Sequence, residues 1–181
     1  SGAAGGIGGV LGGSGYIKNC YSSATVIDQI ANNTGKAGGI IGRVNGNASG
    51  SSIENCYTSG DINAIGGGNA GGIVGKVDGG KLVIKNCIAW NSMLVSTDKA
   101  KVGRIVGGTA NATYENCYAY DGMILKAGEA TFTVSDETSP SGSSFQGVAK
   151  SANELKNTVI NWDSSLWKEG GNGYPVFKWS K

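Results

Sequence analysis

The chain has 181 residues, a formal net charge of +2 and 15% charged residues. This weak charge excludes a basic nucleic-acid-binding surface, and the absence of any run of eighteen apolar residues excludes a membrane span within this sequence. Histidine is absent, which excludes a Ser-His-Asp triad, a Cys-His dyad and a histidine-containing zinc site. The length fits a single folded unit, and the 33 glycines greatly exceed the average usage of about 7%.

Two short phrases alternate along the chain from its start. The first is an apolar pair enclosed by glycines, which is typical of a short buried strand that ends in tight corners. It occurs at 9–12, 38–42, 71–75 and 103–107. The second is an Ile-x-Asn-Cys-Tyr phrase, with small departures, at 17–21, 53–57, 84–88 and 114–118. A third short apolar run follows each copy of the second phrase, so the sequence predicts three short strands per repeat.

The four cysteines recur at intervals of 30 to 36 residues, always at the same place in the second phrase. A period of this length marks stacked repeats. With short strands, variable turns and no convincing helix in residues 1–125, the pattern predicts an all-β fold, a right-handed parallel β-helix (β-solenoid) of about four coils. Besides the cysteines, the predicted core consists of Val10, Leu11, Ile17, Ile40, Ile41, Ile53, Ile73, Val74, Ile84, Ile105 and Val106.

The second position of the Ile-x-Asn-Cys-Tyr phrase alternates in charge. In successive repeats it holds Lys18, Glu54, Lys85 and Glu115. Coils stacked in register at about 4.8 Å would bring these opposite charges together on the outside. Asn tolerates the left-handed backbone region, so the next position is predicted to form a corner that turns the following cysteine inward. This corner ladder would consist of Asn19, Asn55, Asn86 and Asn116.

The cysteines have three interpretations. As buried residues on adjacent coils, they would form a ladder of free thiols. The Cα spacing of neighbouring coils also permits one or two disulfides, which an oxidising compartment would favour. Spacings above thirty without a C-x-x-C pair argue against a metal site, and we expect neither a metal nor a cofactor. The ladder residues are Cys20, Cys56, Cys87 and Cys117.

After about residue 125 the repeat ends, and residues 126–181 are predicted to form a non-repeating cap. A strand is expected at 131–134, a loop at 139–144, and a helix after the capping-box pattern of Ser151 and Glu154. Three of the four tryptophans lie in the last twenty residues. Because an open solenoid end exposes apolar core and unpaired strand edges, we expect this aromatic segment to close the C-terminal end.

If the cysteines face inward, the aromatic residues that follow them face outward. The resulting strip would consist of Tyr21, Tyr57, Trp90, Tyr118 and Tyr120. An exposed strip of this kind could stack on sugar rings or anchor a protein partner. The alternative is that the rings cover neighbouring backbone or fill the core.

The glycine phrase and the Asn-Cys-Tyr phrase, repeating together, resemble the GLUG-motif repeats of bacterial cell-surface, adhesin-like proteins of the Bacteroidetes type. The matching residues are 38–42 with 55–57 and 71–75 with 86–88, while Ile88 and Arg104 depart from the pattern. The resemblance implies an extracellular or cell-surface location, outer-membrane anchoring in the full-length protein, and cell adhesion. Such repeats also accompany IgA-cleaving metallopeptidases. No HExxH motif occurs here, so the resemblance carries over no protease activity.

Hydrolysis of a glycoside needs two carboxylates close together, and the sequence shows no obvious pair. We therefore expect a non-catalytic structural or adhesion module that holds a binding face rigid. Its partner would be a host or bacterial surface glycan or protein, and we expect a monomer. One alternative is a carbohydrate-binding module that uses the aromatic strip, and another is a β-helix enzyme that degrades glycans. The chain begins Ser1-Gly2 without Met, so we expect it to be a mature fragment.

Overall fold

The computed structural model describes residues 2–32, 34–46, 49–79, 81–108, 112–134 and 145–180. The loop predicted at 139–144 lies outside these residues. Short strands wind into four successive coils, and the residues after the fourth coil add a few strands and one helix. This confirms the predicted all-β solenoid of about four coils.

Each of the first three coils contains five strands. The first coil consists of β1 (Ala4–Gly5), β2 (Gly8–Leu11), β3 (Tyr16–Lys18), β4 (Tyr21–Ser22) and β5 (Val26–Asp28). The second consists of β6 (Lys36–Gly38), β7 (Ile41–Val44), β8 (Ser49–Glu54), β9 (Tyr57–Thr58) and β10 (Ile62–Ala64). The third consists of β11 (Asn69–Gly71), β12 (Val74–Val77), β13 (Lys81–Lys85), β14 (Ile88–Ala89) and β15 (Met93–Ser96).

The fourth coil begins with a 3₁₀ turn and is followed by the non-repeating residues. Its elements are the 3₁₀ turn (Lys99–Lys101), β16 (Val102–Gly103), β17 (Ala112–Glu115), β18 (Tyr118–Tyr120) and β19 (Ile124–Ala127). The elements after it are β20 (Ala130–Phe132), β21 (Val148–Lys150), α1 (Ala152–Trp162), β22 (Trp167–Glu169) and β23 (Pro175–Phe177).

Equivalent strands of successive coils pair in parallel and form five sheets along the solenoid. The register follows the sequence repeat, because Ile53 pairs with both Ile17 and Ile84, and Ile84 in turn pairs with Tyr114. Five strands per coil exceed the three expected. The glycine phrase and the Asn corner each split one run into two strands, since both bend the backbone sharply.

The core contains most of the apolar residues that were predicted to be buried, but the prediction is wrong for Val10. Val10 is 57% exposed and pairs with Arg43, whereas Gly8 pairs with Ile41. The first-coil residues that align with 38–42 are therefore 5–9, so Ile7 and Gly8 take the places of the apolar pair, three residues before Val10 and Leu11. Val10 consequently occupies an outward position that carries a charged residue in the next coil.

Paired glycines are required where the coils approach most closely. A Cβ on Gly39 would lie 2.1 Å from the Gly72 carbonyl oxygen, and a Cβ on Gly72 would lie 2.2 Å from the Arg104 carbonyl oxygen. Contacts this short are not tolerated by side-chain-bearing residues. The glycine phrase thus fixes the stacking distance at one corner of the first three coils.

The elements after the fourth coil cover two different surfaces of the solenoid. β20 adds to β19 in antiparallel orientation and β21 adds to β18 in parallel, while the Phe145 carbonyl accepts hydrogen bonds from Ile105 N at 2.9 Å and Val106 N at 3.2 Å. These elements cover the last coil. α1 and the β22–β23 hairpin lie along the side of the solenoid instead, where they pack on aromatic residues of all four coils. The non-repeating residues thus cap the last coil as expected, but their aromatic ending covers a side of the solenoid.

Helix α1 begins at the predicted capping box. The Ser151 hydroxyl accepts a hydrogen bond from Glu154 N at 3.4 Å, and the Glu154 carboxylate accepts one from Ser151 N at 2.9 Å. The helix buries Leu155 and Val159 against the aromatic side of the solenoid. This reciprocal cap satisfies two backbone groups at the start of a short helix.

Candidate functional site

The five predicted binding residues lie on the outer surface of one sheet. This sheet consists of β4, β9, β14, β18 and β21. We define its aromatic face as Tyr21, Tyr57, Trp90, Tyr118 and Tyr120. Tyr21 and Tyr57 are register partners, and their rings stack at a centroid distance of 5.2 Å and an interplanar angle of 6°.

The β22–β23 hairpin covers the middle of the aromatic face. Trp167 lies 5.9 Å from the Tyr57 ring and stacks on Phe177 at 4.4 Å, both between ring centroids. Tyr57 is 1% exposed and Trp90 is 4% exposed. The predicted exposed strip is therefore wrong for these two residues, and Tyr21, Tyr118 and Tyr120 are half-buried. The rings are covered because they form a large apolar surface that the tryptophan-rich ending matches.

A buried hydrogen bond joins the hairpin to the second coil. The Tyr57 hydroxyl donates to the Pro175 carbonyl oxygen, 118 residues away in the sequence. Burial, followed by the neighbouring Tyr21 and Tyr174, raises the pKa of Tyr57 above its usual range. The phenol therefore stays protonated and remains a donor in neutral solution.

A cleft remains open at one margin of the aromatic face, where the hairpin turn approaches the ends of β14 and β18. We call it the ring cleft. It encloses about 250 Å³. Its principal lining residues are Trp90, Ser92, Tyr120, Asn172 and Tyr174. The volume corresponds to about eight water molecules at about 30 Å³ each, which is the size of one sugar ring rather than of an extended chain.

The ring cleft combines aromatic surfaces with hydrogen-bonding groups. Trp90 and Tyr174 meet edge to face, with ring centroids 4.7 Å apart and an interplanar angle of 61°. Burial, followed by Tyr120 and Asp61, raises the pKa of Tyr174, so its phenol is a neutral donor. The Asn172 side-chain oxygen Oδ1 accepts a hydrogen bond from Tyr174 N at 3.3 Å. No hydrogen bond within the described ranges uses the Asn172 amide nitrogen, which leaves it available as a donor.

Only part of the ring cleft followed from sequence reasoning. Trp90 and Tyr120 occupy equivalent positions of adjacent coils, as the repeat indicates. Tyr174 and Asn172 come from a glycine-rich turn between β22 and β23 that is not part of any repeat. The glycines at 170, 171 and 173 indicate the turn, but no sequence signal indicates which coil it approaches.

The asparagine corner forms a continuous ladder of side-chain amides. All four asparagines have φ between 50° and 53°, the left-handed region. Each amide nitrogen donates to the asparagine oxygen of the preceding coil, at 3.1 Å to Asn19, 3.0 Å to Asn55 and 3.2 Å to Asn86. The ladder keeps the corners in register along the solenoid.

The four cysteines are all free thiols. Cys56, Cys87 and Cys117 are buried, and Cys20 in the first coil is half-buried. The Cys87 and Cys117 thiols donate to the Ile53 and Ile84 carbonyl oxygens, each at 3.4 Å. Burial raises the pKa of Cys117 to about 11. The thiols therefore behave as small core residues rather than as nucleophiles.

Neither a metal-binding cluster nor a membrane-spanning helix occurs among the residues that the structure describes. No group of three or more His, Cys, Asp or Glu side chains is placed to hold a metal ion. No helix in these ranges is long and apolar enough to cross a membrane.

No protein-family model and no curated protein sequence matches the chain. Among solved structures, the chain is similar to the crystal structure of a putative immunoglobulin A1 protease from Bacteroides ovatus. The two are 49% identical with a TM-score of 0.86, and the similarity covers 100% of this chain and 54% of that chain. The chain thus spans about half the length of that protein. Similarity to a Bacteroides protein is established, whereas the GLUG resemblance has no matching family model.

This comparison contradicts the expectation that the chain is not an enzyme. The absence of histidine, of an HExxH motif and of an evident carboxylate pair excludes particular active sites, but it does not exclude catalysis in general. A protein of 49% identity that is named as a putative protease overturns the expectation.

Proposed function

We propose that the chain is a glycan-binding adhesion module of a larger bacterial surface protein. The ring cleft is the observation that carries this proposal. It is lined by the aromatic residues Trp90, Tyr120 and Tyr174 and by the polar residues Ser92 and Asn172. Sites for small ligands are characteristically concave, mostly apolar or aromatic, and equipped with a few directed polar groups.

The chemistry of a pyranose fits such a cleft. One face of the ring carries C–H bonds that pack on aromatic surface, and its hydroxyls need hydrogen-bond partners. In the ring cleft the Asn172 amide and the Tyr174 phenol supply donors, and the Ser92 hydroxyl is exposed. None of these groups carries a charge, so the cleft suits a neutral sugar.

The solenoid supports this role by holding the cleft rigid. Trp90 follows β14 and Tyr120 ends β18, which pair in adjacent coils, and the covering hairpin is fixed by the Tyr57–Pro175 hydrogen bond. A preorganised site loses less conformational entropy on binding than a mobile one. A surface location is supported by the similarity to the Bacteroides ovatus protein and by the GLUG resemblance.

A glycan-array screen of the purified chain tests the proposal. We compare the parent with Tyr120→Ala and Tyr174→Ala, and use Tyr16→Ala as the matched control because Tyr16 is 78% exposed on the first coil. We expect binding to neutral glycans that the control retains and that each cleft variant weakens about tenfold or more. Absence of neutral-glycan binding by the parent, or equal binding by all variants, would reject the proposal.

The name given to the Bacteroides ovatus protein supports a second candidate, hydrolysis of a peptide bond in immunoglobulin A1. Incubation of immunoglobulin A1 with the chain, followed by electrophoresis, tests this candidate directly. Fragments that are absent with heat-denatured chain would assign proteolysis to this half of the molecule. Intact immunoglobulin would argue against proteolysis by the chain alone.

A further inference from the structure

A second cleft lies along α1, at the asparagine corner of the solenoid. We call it the lysine cleft. It encloses about 360 Å³. The lining residues that matter chemically are Asn116, Tyr118, Lys150, Asn161 and Trp162. It shares no lining residue with the ring cleft.

The asparagine ladder ends in this cleft with an open acceptor. Every ladder bond runs from an amide nitrogen to the oxygen of the preceding coil. Asn116 is the last member, so its nitrogen is used by Asn86 and its oxygen accepts no hydrogen bond within the described part of the chain. Hydrogen bonds in a chain polarise one another, which strengthens the terminal acceptor. A ligand with a hydroxyl or amide N–H would find its partner here.

Lys150 supplies a positive charge in the same cleft. Its ammonium group lies 3.8 Å from the centroid of the Tyr118 ring. The nearby Glu154 carboxylate accepts hydrogen bonds from the backbone and hydroxyl of Ser151, at 2.9 Å and 2.6 Å. Lys150 contributes to lowering the pKa of Glu154, so the two charges interact, but no carboxylate within the described ranges lies close enough to Lys150 for an ion pair. The contact with the tyrosine ring holds the ammonium in place but leaves its hydrogens free to bind an anion.

The remaining walls are suited to a ring-shaped ligand. Tyr118 and Trp162 are both half-buried and present aromatic surface to the cleft, and the Asn161 side chain is exposed beside them. Thr158 uses its hydroxyl to donate to the Glu154 carbonyl at 2.8 Å. The directed groups are therefore one cation, one open acceptor and one amide next to two rings.

We propose that the lysine cleft binds a carboxylate-bearing sugar of an acidic glycan. The carboxylate pairs with Lys150, a hydroxyl or N-acetyl N–H of the same sugar donates to the Asn116 oxygen, and the apolar face of the ring packs on the aromatic walls. A single lysine in a chain of net charge +2 favours one carboxylate over a polyanion such as nucleic acid. The site is independent of the ring cleft, so either can fail without the other.

Titration of the parent chain with glucuronic acid and with glucose tests the role of charge, because the two sugars differ only at C6, where a carboxylate replaces the hydroxymethyl group of glucose. The indole N–H signal of Trp162 in a two-dimensional NMR spectrum reports binding. We expect glucuronic acid to bind about tenfold more tightly than glucose, as a charge-assisted hydrogen bond would give. Lys150→Met should abolish this difference, whereas the control Lys81→Met, at an exposed lysine on β13, should retain it.

A second pair of variants tests the ladder acceptor. Asn116→Gly and Asn19→Gly each remove one ladder bond, and glycine accepts the positive φ of both positions. Asn116→Gly should weaken glucuronic acid and glucose alike, and Asn19→Gly at the opposite end should leave both unchanged. Equal affinity for the two sugars, unaltered binding by Lys150→Met, or binding of sodium acetate as tight as that of glucuronic acid would overturn the proposal.

Discussion

The Tyr57 hydroxyl donates a hydrogen bond to the Pro175 carbonyl oxygen and so fixes the C-terminal hairpin to the second coil. Both residues are buried. The chain thereby folds its last strands back over a face that would otherwise expose stacked tyrosines. This contact also positions the turn that carries Tyr174 and Asn172, so the ring cleft depends on the hairpin.

Tyr57→Phe should therefore destabilise the protein. The change removes one hydrogen bond and leaves a buried carbonyl without its partner, which costs about 1–3 kcal/mol. Chemical denaturation measures the effect. Tyr21→Phe is the matched control, because Tyr21 stacks on Tyr57 and its hydroxyl makes no hydrogen bond within the described residues. Equal stability of the two variants would contradict the structural role of the bond.

Tyr114→Phe should have the opposite effect. Tyr114 occupies the inward column of isoleucines at the fourth coil, and its hydroxyl is buried without a hydrogen-bond partner among the described residues. Removing an unsatisfied buried hydroxyl relieves a desolvation penalty, and we expect a stabilisation of about 1 kcal/mol. A loss of stability in the same denaturation experiment would show that the hydroxyl has a partner in solution.

The buried phenols also predict how stability depends on pH. Burial is the main cause that raises the pKa of both Tyr57 and Tyr114 above the usual range. Above a pH of about 10 the unfolded chain releases these protons while the folded chain keeps them, so the free energy of unfolding falls as pH rises. The buried Cys117, whose pKa is about 11, acts with the same sign. The double variant Tyr57→Phe and Tyr114→Phe should show a shallower fall between pH 9 and 11, measured by denaturation, and an unchanged slope would refute this assignment.

The cysteine ladder should be unreactive in the folded protein. The thiolate is the reactive form, and the Cys20–Cys56 hydrogen bond followed by burial raises the pKa of Cys20, the most accessible thiol. At pH 8 we expect iodoacetamide to label the native chain slowly, beginning at Cys20, and to label all four cysteines rapidly in guanidinium chloride. Mass spectrometry counts the labels. Rapid native labelling of Cys56, Cys87 or Cys117 would show that the core opens readily.

Periodic features of the fold could be predicted from the sequence because each coil repeats the same strands and corners with similar residues. The spacing of the cysteines indicated stacked coils, and the preference of Asn for the left-handed region indicated a corner at Asn55 and its equivalents. The first coil shows the limit of this reasoning. In the sequence, Val10 and Leu11 match the apolar part of the glycine phrase as well as Ile7 does. The structure selects Ile7, because the glycines before it pack closely on the next coil, as Gly39 packs on Gly72.

The candidate site was harder to predict because it depends on contacts between a repeat and a segment outside it. Nothing periodic relates Tyr57 to Pro175, or Trp90 to Tyr174. The composition of the last twenty residues indicated that they cover apolar surface. It did not distinguish the end of the solenoid from its side, since both present apolar area.

The indole N–H signals test most directly whether the ring cleft binds a neutral sugar. The four tryptophans give four such signals, and Trp90 alone lines the ring cleft. Titration with a neutral glycan selected on the array should shift the Trp90 signal while leaving those of buried Trp167 and exposed Trp179 in place. Shifts confined to Trp179, or no shift at a saturating glycan concentration, would contradict the claim.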